Sequence, residues 1–589
     1  MNARTTKLVA VAAVLALFAA PYYMAPFTIT LLNYIGVYSF VALGLVLLTG
    51  IAGIVSFGQA SFMGIAAYAT AWSSALMGYS PWLGLVLAVV VTCTVAAIVG
   101  LATLRLQGHF LSLSTIAWGL ALYYTFGNIA GLGAYNGIGS IPPVSIGAFR
   151  LADSGQIFYL IWGSLLLSFL AAHNLLDSRM GRAMRALRGG NTLVASLGIN
   201  ALHIRLATFV IAALLAALSG WLYAHMSRFV SPTPFDVTMS IVFLMMAMIG
   251  GSGYLLGALV GAALITLLKN WIQDILPLIS PGSSGQLEIV VFSVLFIVFL
   301  QRARDGIVPY VAQWLPAPRQ QKPLAAEAMP RRAQPEKGGV LMTVDAASRH
   351  FGGLVAVNNV SFDVHANEIL ALIGPNGAGK TTMFNLITGT LRASAGHIVF
   401  AGKDVTRASA CAIARAGVAR TFQHVKLRPR MSLIDNVLLG AYNRTRAGLF
   451  ASALRLDRPE EYRARSEAIR QLERVGLGDR PYDLAGNLPL GNQRLLEIAR
   501  ALAADPVLLV LDEPAAGLRR QEKLKLTELL RTLRAEGLSI LLVEHDMDFV
   551  MALVDRVVVM DFGCKLCEGA PEIVCADARV QEAYLGGVA

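Results

Sequence analysis

The first half of the chain is dominated by apolar runs that are long enough to cross a membrane. The first extends from Leu8 to Ala20, behind Arg4 and Lys7. Further runs lie near residues 30–50, 54–78, 82–104, 110–130, 157–176, 206–226, 236–250, 254–272 and 287–301. Because a helix needs about 20 apolar residues to span a bilayer, this pattern predicts a membrane-embedded, all-α helical bundle.

The N-terminal run begins behind basic residues, a pattern that also occurs in cleaved signal peptides. Because more apolar segments follow with few charged gaps, we interpret it as an uncleaved first transmembrane helix that starts in the cytosol. If the second half of the chain is also cytosolic, the number of crossings is even, and ten crossings are favoured over nine. Residues 1–305 are therefore expected to form a transmembrane domain of about eight to ten helices.

Charged residues are distributed unevenly between the two halves. Residues 1–305 contain 13 Lys and Arg and 6 Asp and Glu, whereas residues 306–589 contain the remaining 35 and 30. The net charge of +12 is spread over both halves. Basic membrane loops that face anionic lipid therefore explain it more simply than nucleic-acid binding does. The five cysteines suggest no disulfide framework, which agrees with a reducing cytosol.

A proline-rich segment at residues 306–339 separates the halves. It carries five prolines between Trp314 and Gly339, among Arg, Gln, Lys and Ala. We expect an extended cytosolic linker without a core. The pattern changes again from residue 340, where short runs typical of strands alternate with helix-like segments, so residues 340–589 are predicted to be a soluble α/β domain.

Several runs of this domain have the patterns of strands. Strict alternation at residues 360–365 indicates a half-buried strand, which we expect to pair antiparallel with residues 342–345. Continuous apolar runs at residues 369–373, 507–511 and 540–543 predict buried parallel strands. Polar residues follow the last two runs directly, at the carboxyl ends of strands where open α/β sheets build their sites.

A glycine-rich stretch follows the run at residues 369–373 and leads into a helix-like segment. It reads Gly374, Pro375, Asn376, Gly377, Ala378, Gly379, Lys380, Thr381 and Thr382. A strand, a loop of the form GxxxxGK[ST] and a helix start are the context in which backbone N–H groups bind phosphate. Lys380 can reach the β- and γ-phosphates, and the Thr381 hydroxyl can bind Mg²⁺. We therefore predict nucleoside triphosphate binding; the alternative is a chance glycine-rich turn.

The clearest charged loop of the first half, residues 178–205, contains five arginines and is cytosolic by the positive-inside rule. Residues 191–198 can form a short amphipathic helix that ends at Gly198. An ordinary solvated loop is the alternative. Beside a cytosolic nucleotide-binding domain, however, such a helix offers a contact surface, so we favour a role in coupling.

Two stretches of small residues interrupt the apolar runs. Gly253, Gly257 and Gly261 are four residues apart, which allows a helix to approach its neighbour closely. Residues 56–62, with the sequence SFGQASF, either line a translocation path or serve helix packing. Because no pair of buried opposite charges or proton relay is evident, we interpret the first half as a passive conduit that needs energy from outside.

The order of motifs in residues 340–589 resembles the nucleotide-binding domain of ABC transporters. The resemblance rests on the phosphate loop and, further along, on Thr421-Phe422-Gln423, residues 488–494, Asp512-Glu513-Pro514 and Glu544-His545-Asp546. It implies an α/β P-loop ABC-type fold that hydrolyses ATP with Mg²⁺ as a cofactor, which is consistent with the needs of phosphoryl transfer.

The resemblance also implies roles for individual residues. Asp512 holds the Mg²⁺, with Thr381 and Gln423 as further ligands. Glu513 positions and deprotonates the attacking water, and His545 contacts the γ-phosphate. Gln423 also senses the membrane half. Apart from the resemblance, Phe351 lies 23 residues before Gly374 and either stacks on adenine or belongs to the core.

Two positions depart from the usual ABC pattern. The signature Leu-Ser-Gly-Gly-Gln reads Leu-Pro-Leu-Gly-Asn at residues 488–492, so Pro489 lacks the serine hydroxyl and the N–H, although Gly491 is kept. Arg519 replaces the usual aspartate of the D-loop. Both positions serve the facing subunit, so both put the partner's ATP site in doubt rather than this chain's own.

The chain more specifically resembles importers of branched-chain and other hydrophobic amino acids. In the ATPase half the resemblance is carried by residues 351–357, 420–425 and 512–518, and in the membrane half by residues 56–62, 136–142 and 250–257. The two halves usually occur as separate chains, so the sequence resembles a natural permease–ATPase fusion. This implies a multi-pass protein of the bacterial inner membrane with a cytosolic ATP-binding domain. It also implies a second permease, a second ATPase and a periplasmic binding protein as partners.

Other interpretations remain open at this stage. One is an ABC half-transporter that exports lipid or hydrophobic compounds, although such exporters typically have long charged cytosolic helices. An importer of urea or short amides and a membrane-anchored ATPase without a transport function are further alternatives. Cys564 and Cys567 have the spacing of a redox or metal motif, but they lie in an expected hairpin without a second Cys or His pair nearby, so we interpret them as structural.

Overall fold

The computed structural model describes residues 3–106, 108–279, 285–302, 305–312 and 327–585. The chain divides into two compact units. The helical unit comprises Met1–Leu175 and Leu202–Gln320, and the α/β unit comprises Leu176–Ala201 and Gln321–Ala589. The loop predicted to be cytosolic thus groups with the second half of the chain.

The elements that precede the predicted linker, and the one that lies within it, are mainly helices. In chain order they are α1 (Ala3–Tyr23), α2 (Pro26–Leu45), α3 (Gln59–Ala71), α4 (Pro81–Thr103), α5 (His109–Asn128), β1 (Ser145–Ile146), β2 (Phe149–Arg150), α6 (Ser154–Leu176), α7 (Arg179–Ala186), α8 (Asn191–Ser196), α9 (Ala201–Ser227), α10 (Val237–Gly251), α11 (Leu255–Ile279), α12 (Gly285–Arg302) and α13 (Ile307–Ala312). Helices α7 and α8 belong to the α/β unit.

Six helices of the described part of the chain are long and apolar enough to cross a membrane. They are Pro26–Ile51, Pro81–Thr103, His109–Asn128, Ser154–Leu176, Ala201–Ser227 and Leu255–Ile275. Shorter apolar helices occur at Val11–Tyr23 and Val237–Gly251. The helical bundle is therefore confirmed, whereas the count of ten crossings stays a prediction.

The apolar run predicted at residues 54–78 is helical only from α3 onward. Residues 53–58 are not helical, because Gly53 adopts a φ of +74° that ends the preceding helix. The Ala60 N–H donates to Ser240 Oγ over 3.1 Å, and the Phe57 N–H donates to Thr115 Oγ1 over 3.1 Å. These bonds tie residues 56–62 to α10 and α5, which supports the packing interpretation; the path role stays a prediction.

Close approach of α10 and α11 confirms the prediction for two of the three spaced glycines. A Cβ atom at Gly257 would lie 2.7 Å from the Gly251 carbonyl oxygen, and one at Gly261 would lie 1.8 Å from that of Met246. Gly253 instead lies in the turn between the helices, with a φ of +102° that favours glycine. Its expected place inside the helix was wrong.

The α/β unit continues after the linker with alternating strands and helices. They are β3 (Val340–Phe351), β4 (Leu354–His365), β5 (Ile369–Ile373), α14 (Lys380–Ile387), β6 (Ala395–Phe400), β7 (Lys403–Asp404), α15 (Ala410–Ala416), β8 (Val418–Arg420), α16 (Leu433–Gly440), α17 (Leu449–Ala453), α18 (Arg458–Arg474), α19 (Leu490–Leu502), β9 (Leu508–Asp512), α20 (Arg520–Ala535), β10 (Ser539–Val543), α21 (Met547–Met551), β11 (Arg556–Asp561), β12 (Cys564–Gly569), α22 (Pro571–Ala576) and α23 (Ala578–Leu585).

Two sheets organise this unit. A six-stranded sheet has the order β12-β11-β5-β10-β9-β8 and is parallel except for β12, and a four-stranded antiparallel sheet has the order β4-β3-β6-β7. Every residue of β5, β9 and β10 is buried, as their continuous apolar runs predict. The expected pair of residues 342–345 and 360–365 is confirmed, since Thr343 pairs with Asp363.

The predicted linker differs from expectation in two places, while residues 313–326 lie outside the described residues. Residues Ile307–Ala312 form the short helix α13. Met329 is buried in an apolar cluster with Leu433 and Val437 of α16. Its long apolar side chain can reach this cluster from the linker. The expectation of an extended segment without a core was therefore wrong for Met329.

The expected hairpin around the paired cysteines is confirmed. Strands β11 and β12 are antiparallel, with a register shift between Val559 and Met560. Cys564 is exposed and Cys567 is half-buried. Among the described residues, no group of three or more His, Cys, Asp and Glu side chains can hold a metal ion. The structural interpretation of the two cysteines stays a prediction.

Candidate active site

The phosphate loop lies between β5 and α14, as its sequence predicts. Gly374, Gly377 and Gly379 have φ angles of +150°, +88° and +91°, a region that favours glycine. A Cβ atom at Gly374 would lie 2.1 Å from the Met560 carbonyl oxygen, and one at Gly379 would lie 2.3 Å from that of Ala356. The glycines are thus required both by the turn of the loop and by close backbone neighbours.

Lys380 begins α14 with its side chain directed back into the loop. Its Nζ donates to the carbonyl oxygens of Gly374 and Pro375, over 2.7 and 2.9 Å. Burial lowers the pKa of Lys380, and the negative charge of Glu513 acts in the opposite direction. A buried ammonium held by neutral carbonyls can exchange these bonds for phosphate oxygens, which offer it a full opposite charge. Thr381 is exposed and Thr382 half-buried beside it.

The outer side of the loop faces the C-terminal segment. Pro375, Asn376, Gly377 and Ala378 line a cavity of about 530 Å³ together with residues of β11, β12 and α23. Burial raises the pKa of Tyr584 on α23 to about 12. Helix α23 therefore lies beside the phosphate loop in this unit.

Asp512 ends β9, directly beside the end of β10. It pairs in register with Val543, and it is only 5% exposed. Burial raises the pKa of Asp512 to about 6; the Arg420 guanidinium acts to lower it, and the charge of Glu513 acts to raise it. A nearly buried carboxyl with so high a pKa is a group that a bound cation would ionise.

Glu513 adopts a backbone conformation that is unusual for a residue other than glycine. Its φ is +45°, and its N–H donates to the Val543 carbonyl oxygen over 2.9 Å. Its carboxylate accepts a hydrogen bond from Gln423 Nε2 over 3.0 Å and lies 3.9 Å from His545 Nδ1. Such strained conformations persist where the surrounding structure fixes them, and they are frequent at active sites. The structure thus brings the three predicted catalytic residues together.

Glu544 is a positioning residue that sequence reasoning did not single out. It is fully buried, and its Oε1 accepts the Ala515 N–H over 2.7 Å while Oε2 accepts the His545 N–H over 3.0 Å. Burial raises the pKa of Glu544, and these backbone donors act in the opposite direction. Glu544 therefore joins the segment after Glu513 to the backbone of His545. An acidic residue directly after a buried strand was the available signal.

Three residues of α19 form a second group that the sequence did not reveal. Arg494 Nη1 donates to the Phe422 carbonyl oxygen over 2.8 Å and Nη2 donates to that of Gln423, while Arg500 Nη1 donates to that of Lys426 over 2.6 Å. Glu497 accepts the Lys426 N–H over 3.2 Å. The helix that carries the signature thus fixes the backbone around Gln423. Their spacing of three residues on one helix was a signal for a shared face.

The signature itself begins α19, with Pro489 at the N-cap. A Cβ atom at Gly491 would lie 2.3 Å from Glu522 Oε1, and Glu522 Oε2 accepts the Arg519 N–H over 2.8 Å. Glu522 therefore links the signature to the position where the usual D-loop aspartate is replaced. The role of Gly491 toward a facing subunit stays a prediction.

Phe351 ends β3 and is 42% exposed, so it is not a core residue. The Arg349 guanidinium lies 4.7 Å from the centre of its ring. An exposed ring can stack on a base. Exposure thus argues against the core alternative, and stacking on adenine stays a prediction.

The segment that groups with the α/β unit is held there by a buried ion pair. Arg182 of α7 donates to both carboxylate oxygens of Glu461 on α18, over 2.9 and 2.8 Å, and their side chains are 4% and 3% exposed. The Arg179 N–H donates to Glu461 over 2.8 Å, and the Arg179 guanidinium lies 3.8 Å from the centre of the Tyr442 ring. Two parallel N–H···O bonds make such a pair geometrically specific.

Further contacts hold both ends of this segment. Asp177 accepts from Arg458 and Arg465 over 3.0 and 2.8 Å, and these cations outweigh the effect of burial and lower the pKa of Asp177. The short helix predicted at residues 191–198 is confirmed as α8, and Asn443 donates to the Leu197 carbonyl oxygen over 2.9 Å. Helix α8 packs against α15, and α7 packs against α16. The prediction of a contact surface is thus confirmed within this unit.

The candidate metal ligands fit Mg²⁺ by their chemistry. Asp512, Thr381 and Gln423 offer a carboxylate, a hydroxyl and an amide oxygen, and Mg²⁺ prefers such hard oxygen ligands. Asp512 is only 5% exposed, and burial disfavours the charged form of its carboxyl and raises its pKa. A divalent cation bound there would favour the ionised form.

Three known protein families match successive parts of the chain. Residues 27–300 match the permease component of branched-chain amino acid transport systems, residues 357–516 match the ABC transporter family, and residues 564–589 match the branched-chain amino acid ATP-binding cassette transporter family. The first match covers the bundle of apolar helices. The last includes β12 and the C-terminal helices beside the phosphate loop.

Curated relatives match the second half of the chain over almost their whole length. The high-affinity branched-chain amino acid transport ATP-binding protein LivG of Escherichia coli K12 is 44% identical over 251 residues, which are 42% of this chain and 98% of LivG. The corresponding protein BraF of Pseudomonas aeruginosa is 39% identical over 249 residues, with the same coverage.

Among solved structures, a nucleotide-free ATP-binding cassette from an ABC transporter is 31% identical. It covers 42% of this chain and 100% of its own, with a TM-score of 0.38. An ATP-binding cassette in its ADP conformation is also 31% identical, with coverages of 42% and 99% and a TM-score of 0.38.

Proposed function

The chain belongs to the branched-chain amino acid ABC transporter family, with a permease domain and an ABC ATPase domain in one polypeptide, and we propose that it forms one half of an importer. The proposed partners are a second permease, a second ATPase and a periplasmic binding protein. The permease lies in the membrane and the ATPase in the cytosol. The observation that carries the proposal is the convergence of Gln423, Glu513 and His545 at strand ends, on the same chain as a permease domain.

The proposed hydrolysis step assigns one task to each group. Lys380 and the backbone N–H groups of the loop hold the β- and γ-phosphates. Glu513 orients the attacking water and accepts its proton, helped by Gln423, which donates to its carboxylate. His545, which follows the neighbouring parallel strand β10, reaches the γ-phosphate from the same edge of the sheet. When bound by Asp512, Thr381 and Gln423, Mg²⁺ supplies the charge that neutralises the phosphates.

Coupling is proposed to run through the segment of α7 and α8 and through the Gln423 backbone. The buried pair of Arg182 and Glu461 makes α7 move with the ATPase as one body. Arg494 of α19 fixes the carbonyl of Gln423, so a shift of that helix alters the position of the Gln423 amide. Nucleotide state and the position of the loop between α6 and α9 are thereby linked.

The proposal is tested with Lys380→Ala, in membranes that contain the chain and the partner subunits. Losing the phosphate-binding cation is expected to lower ATP hydrolysis by about 10²–10³-fold and to abolish uptake of labelled leucine. Lys403→Ala, which removes an exposed lysine of β7, is the matched control. Normal hydrolysis by Lys380→Ala would contradict the assignment of the site, and labelled substrate leaving rather than entering would contradict import.

A further inference from the structure

A cavity of about 390 Å³ lies in the helical unit, apart from every motif discussed above. Helices α2, α10 and α11 form its walls, and Tyr223 of α9 also lines it. Its volume lies in the range of about 300–1,000 Å³ that is typical of small-molecule sites. The residues that line it come from positions 27–273, so no local sequence pattern marks it.

One side of the cavity is aromatic. Tyr34 and Tyr38 of α2 line it with Tyr223, and the rings of Tyr34 and Tyr38 have centres 5.8 Å apart. Tyr38 also packs edge-on against Phe243 of α10, at 5.4 Å, which fixes its ring. Tyrosine faces attract cations, and the hydroxyl groups can accept hydrogen bonds from an ammonium group.

The wall formed by α11 is polar. Lys269, Asn270 and Gln273 line the cavity from successive turns of this helix. Lys269 lies in the apolar span Leu255–Ile275, where a charge is costly. Intramembrane ionisable residues of this kind commonly mark a substrate pathway. The other charge of the span, Asp274, accepts a hydrogen bond from Asn270 over 3.2 Å.

Apolar side chains lie between these two polar regions. Leu31 of α2, Met239, Val242 and Met246 of α10 and Ile265 of α11 contribute them. Leu31, Met239 and Val242 are partly exposed and present apolar surface to the cavity, whereas Met246 and Ile265 are each only 1% exposed and lie behind it. Methionine adapts its shape to branched aliphatic groups at little cost.

We propose that this cavity binds an aliphatic amino acid as it passes through the permease. The carboxylate of the zwitterion lies at Lys269, its ammonium group lies against the tyrosines, and its side chain lies among Leu31, Met239 and Val242. This assignment rests on the proposed importer function and adds a membrane site to it. Each of the three chemical parts of such a ligand thereby meets a complementary part of the cavity.

The test measures leucine uptake with the full complex. Val242→Trp fills the cavity, because Val242 lines it from α10 and is partly exposed, and Lys269→Met removes its cation; both are expected to lower uptake at least tenfold. Leu267→Trp is the matched control for bulk, because Leu267 lies on α11, is 49% exposed and does not line the cavity. Lys269→Arg keeps the charge and is expected to retain at least half of the uptake. Equal uptake by Val242→Trp and Leu267→Trp would overturn the proposal.

Cross-linking with photo-leucine, a diazirine analogue of leucine, reports the site directly. Labelled peptides are expected to come from α2, α10 or α11, and excess leucine is expected to remove the label. Labelling elsewhere, or labelling that leucine does not compete away, would overturn the proposal. If the wild-type complex takes up leucine and the cavity variants do so equally well, the cavity is not the binding site, but the importer function stands. If the wild-type complex takes up no leucine, the importer function is refuted as well.

Discussion

The ATPase and the permease of this chain differ in how far their functional residues can be recognised in the sequence. In the ATPase, each predicted catalytic residue belongs to a sequence motif that follows one of the strands β8, β9 and β10. The structure brings Gln423, Glu513 and His545 within hydrogen-bond or ion-pair range. In the permease, the polar side chains of the cavity come from helices far apart in the chain. The first arrangement can be predicted from the sequence, and the second cannot.

The difference has a physical cause. A triphosphate is a fixed array of charges, so the groups that bind it need fixed backbone turns and fixed spacing, as the φ angles of Gly374, Gly377 and Gly379 show. A cavity for an aliphatic amino acid needs only a volume, an apolar lining and a few polar groups. Many combinations of residues provide these, and none leaves a repeated pattern in the sequence.

The largest expected effect tests whether the ATPase site acts as its motifs predict. Glu513→Gln keeps the shape of the side chain but removes its ability to accept a proton. We expect hydrolysis to fall by about 10²–10⁴-fold while ATP binding is retained, as measured by phosphate release and by nucleotide binding in the same preparation. Glu528→Gln, on the exposed face of α20, is the control. Rapid turnover by the Glu513 variant would exclude this residue as the general base.

A second test asks whether the two halves are coupled through the buried pair of α7 and α18. Arg182→Leu leaves Glu461 buried without its partner, which costs about 3–5 kcal/mol. We expect leucine uptake to fall by about a hundredfold or more while ATP binding is unchanged. Replacing both residues by leucine removes the uncompensated charge, so the double variant is expected to recover most of the uptake.

Arg188→Leu serves as the control for this test, because Arg188 is an exposed arginine of the same segment. Uptake and nucleotide binding are measured on the same membranes. Identical uptake by Arg182→Leu and by the double variant would show that the ion pair does not hold the segment. Wild-type uptake by both Arg182→Leu and the double variant would show that the segment of α7 and α8 has no role in coupling.

The sequence predicted β3, β4, β5, β9, β10 and the hairpin of β11 and β12, as well as the phosphate loop and the short helix α8, because each depends on local periodicity or on glycine. It did not predict β6, β7 or β8. It did not predict Glu544, Glu497 or Arg494, whose partners are backbone atoms of distant segments. It placed Gly253 inside a helix, because spacing does not reveal a φ of +102°. Burial and long-range hydrogen bonding are set by packing, and a single sequence does not display them.

A smaller effect follows from the pKa of Asp512, which burial raises to about 6. Mg²⁺ binds the ionised carboxyl, so protonation competes with the metal below this pH. The apparent affinity for Mg²⁺ in the presence of nucleotide is expected to fall about tenfold between pH 7 and pH 5. Titration of bound fluorescent nucleotide with Mg²⁺ measures this. Asp512→Asn is expected to bind Mg²⁺ weakly and with a shallower pH dependence, and an equally steep dependence in this variant would assign the titration to another group.

The smallest expected effect concerns the facing ATP site. This chain's own phosphate loop, Asp512 and Glu513 are complete, but its signature carries Pro489, which has no hydroxyl to offer the partner's γ-phosphate. Since Pro489 is the N-cap of α19, the first N–H groups of the helix remain without intrahelical partners and can still donate. The loss is therefore about one net hydrogen bond, ~1 kcal/mol, or roughly fivefold in rate.

We therefore expect Glu513→Gln in this chain to lower the activity of the complex roughly fivefold more than the matching change in the partner ATPase. Pro489→Ser restores a hydroxyl at the N-cap, a position that serine favours, so it is expected to remove most of this difference. Hydrolysis by the two single variants is compared at saturating ATP, with and without the serine. Because we propose that Pro489 serves only the partner's nucleotide, we expect its replacement to leave hydrolysis at this chain's own site unchanged; the complex that carries the partner mutation measures this. If the two single glutamate variants lose equal hydrolysis activity while Pro489 is still present, the first-turn N–H groups of α19 compensate fully for the missing hydroxyl.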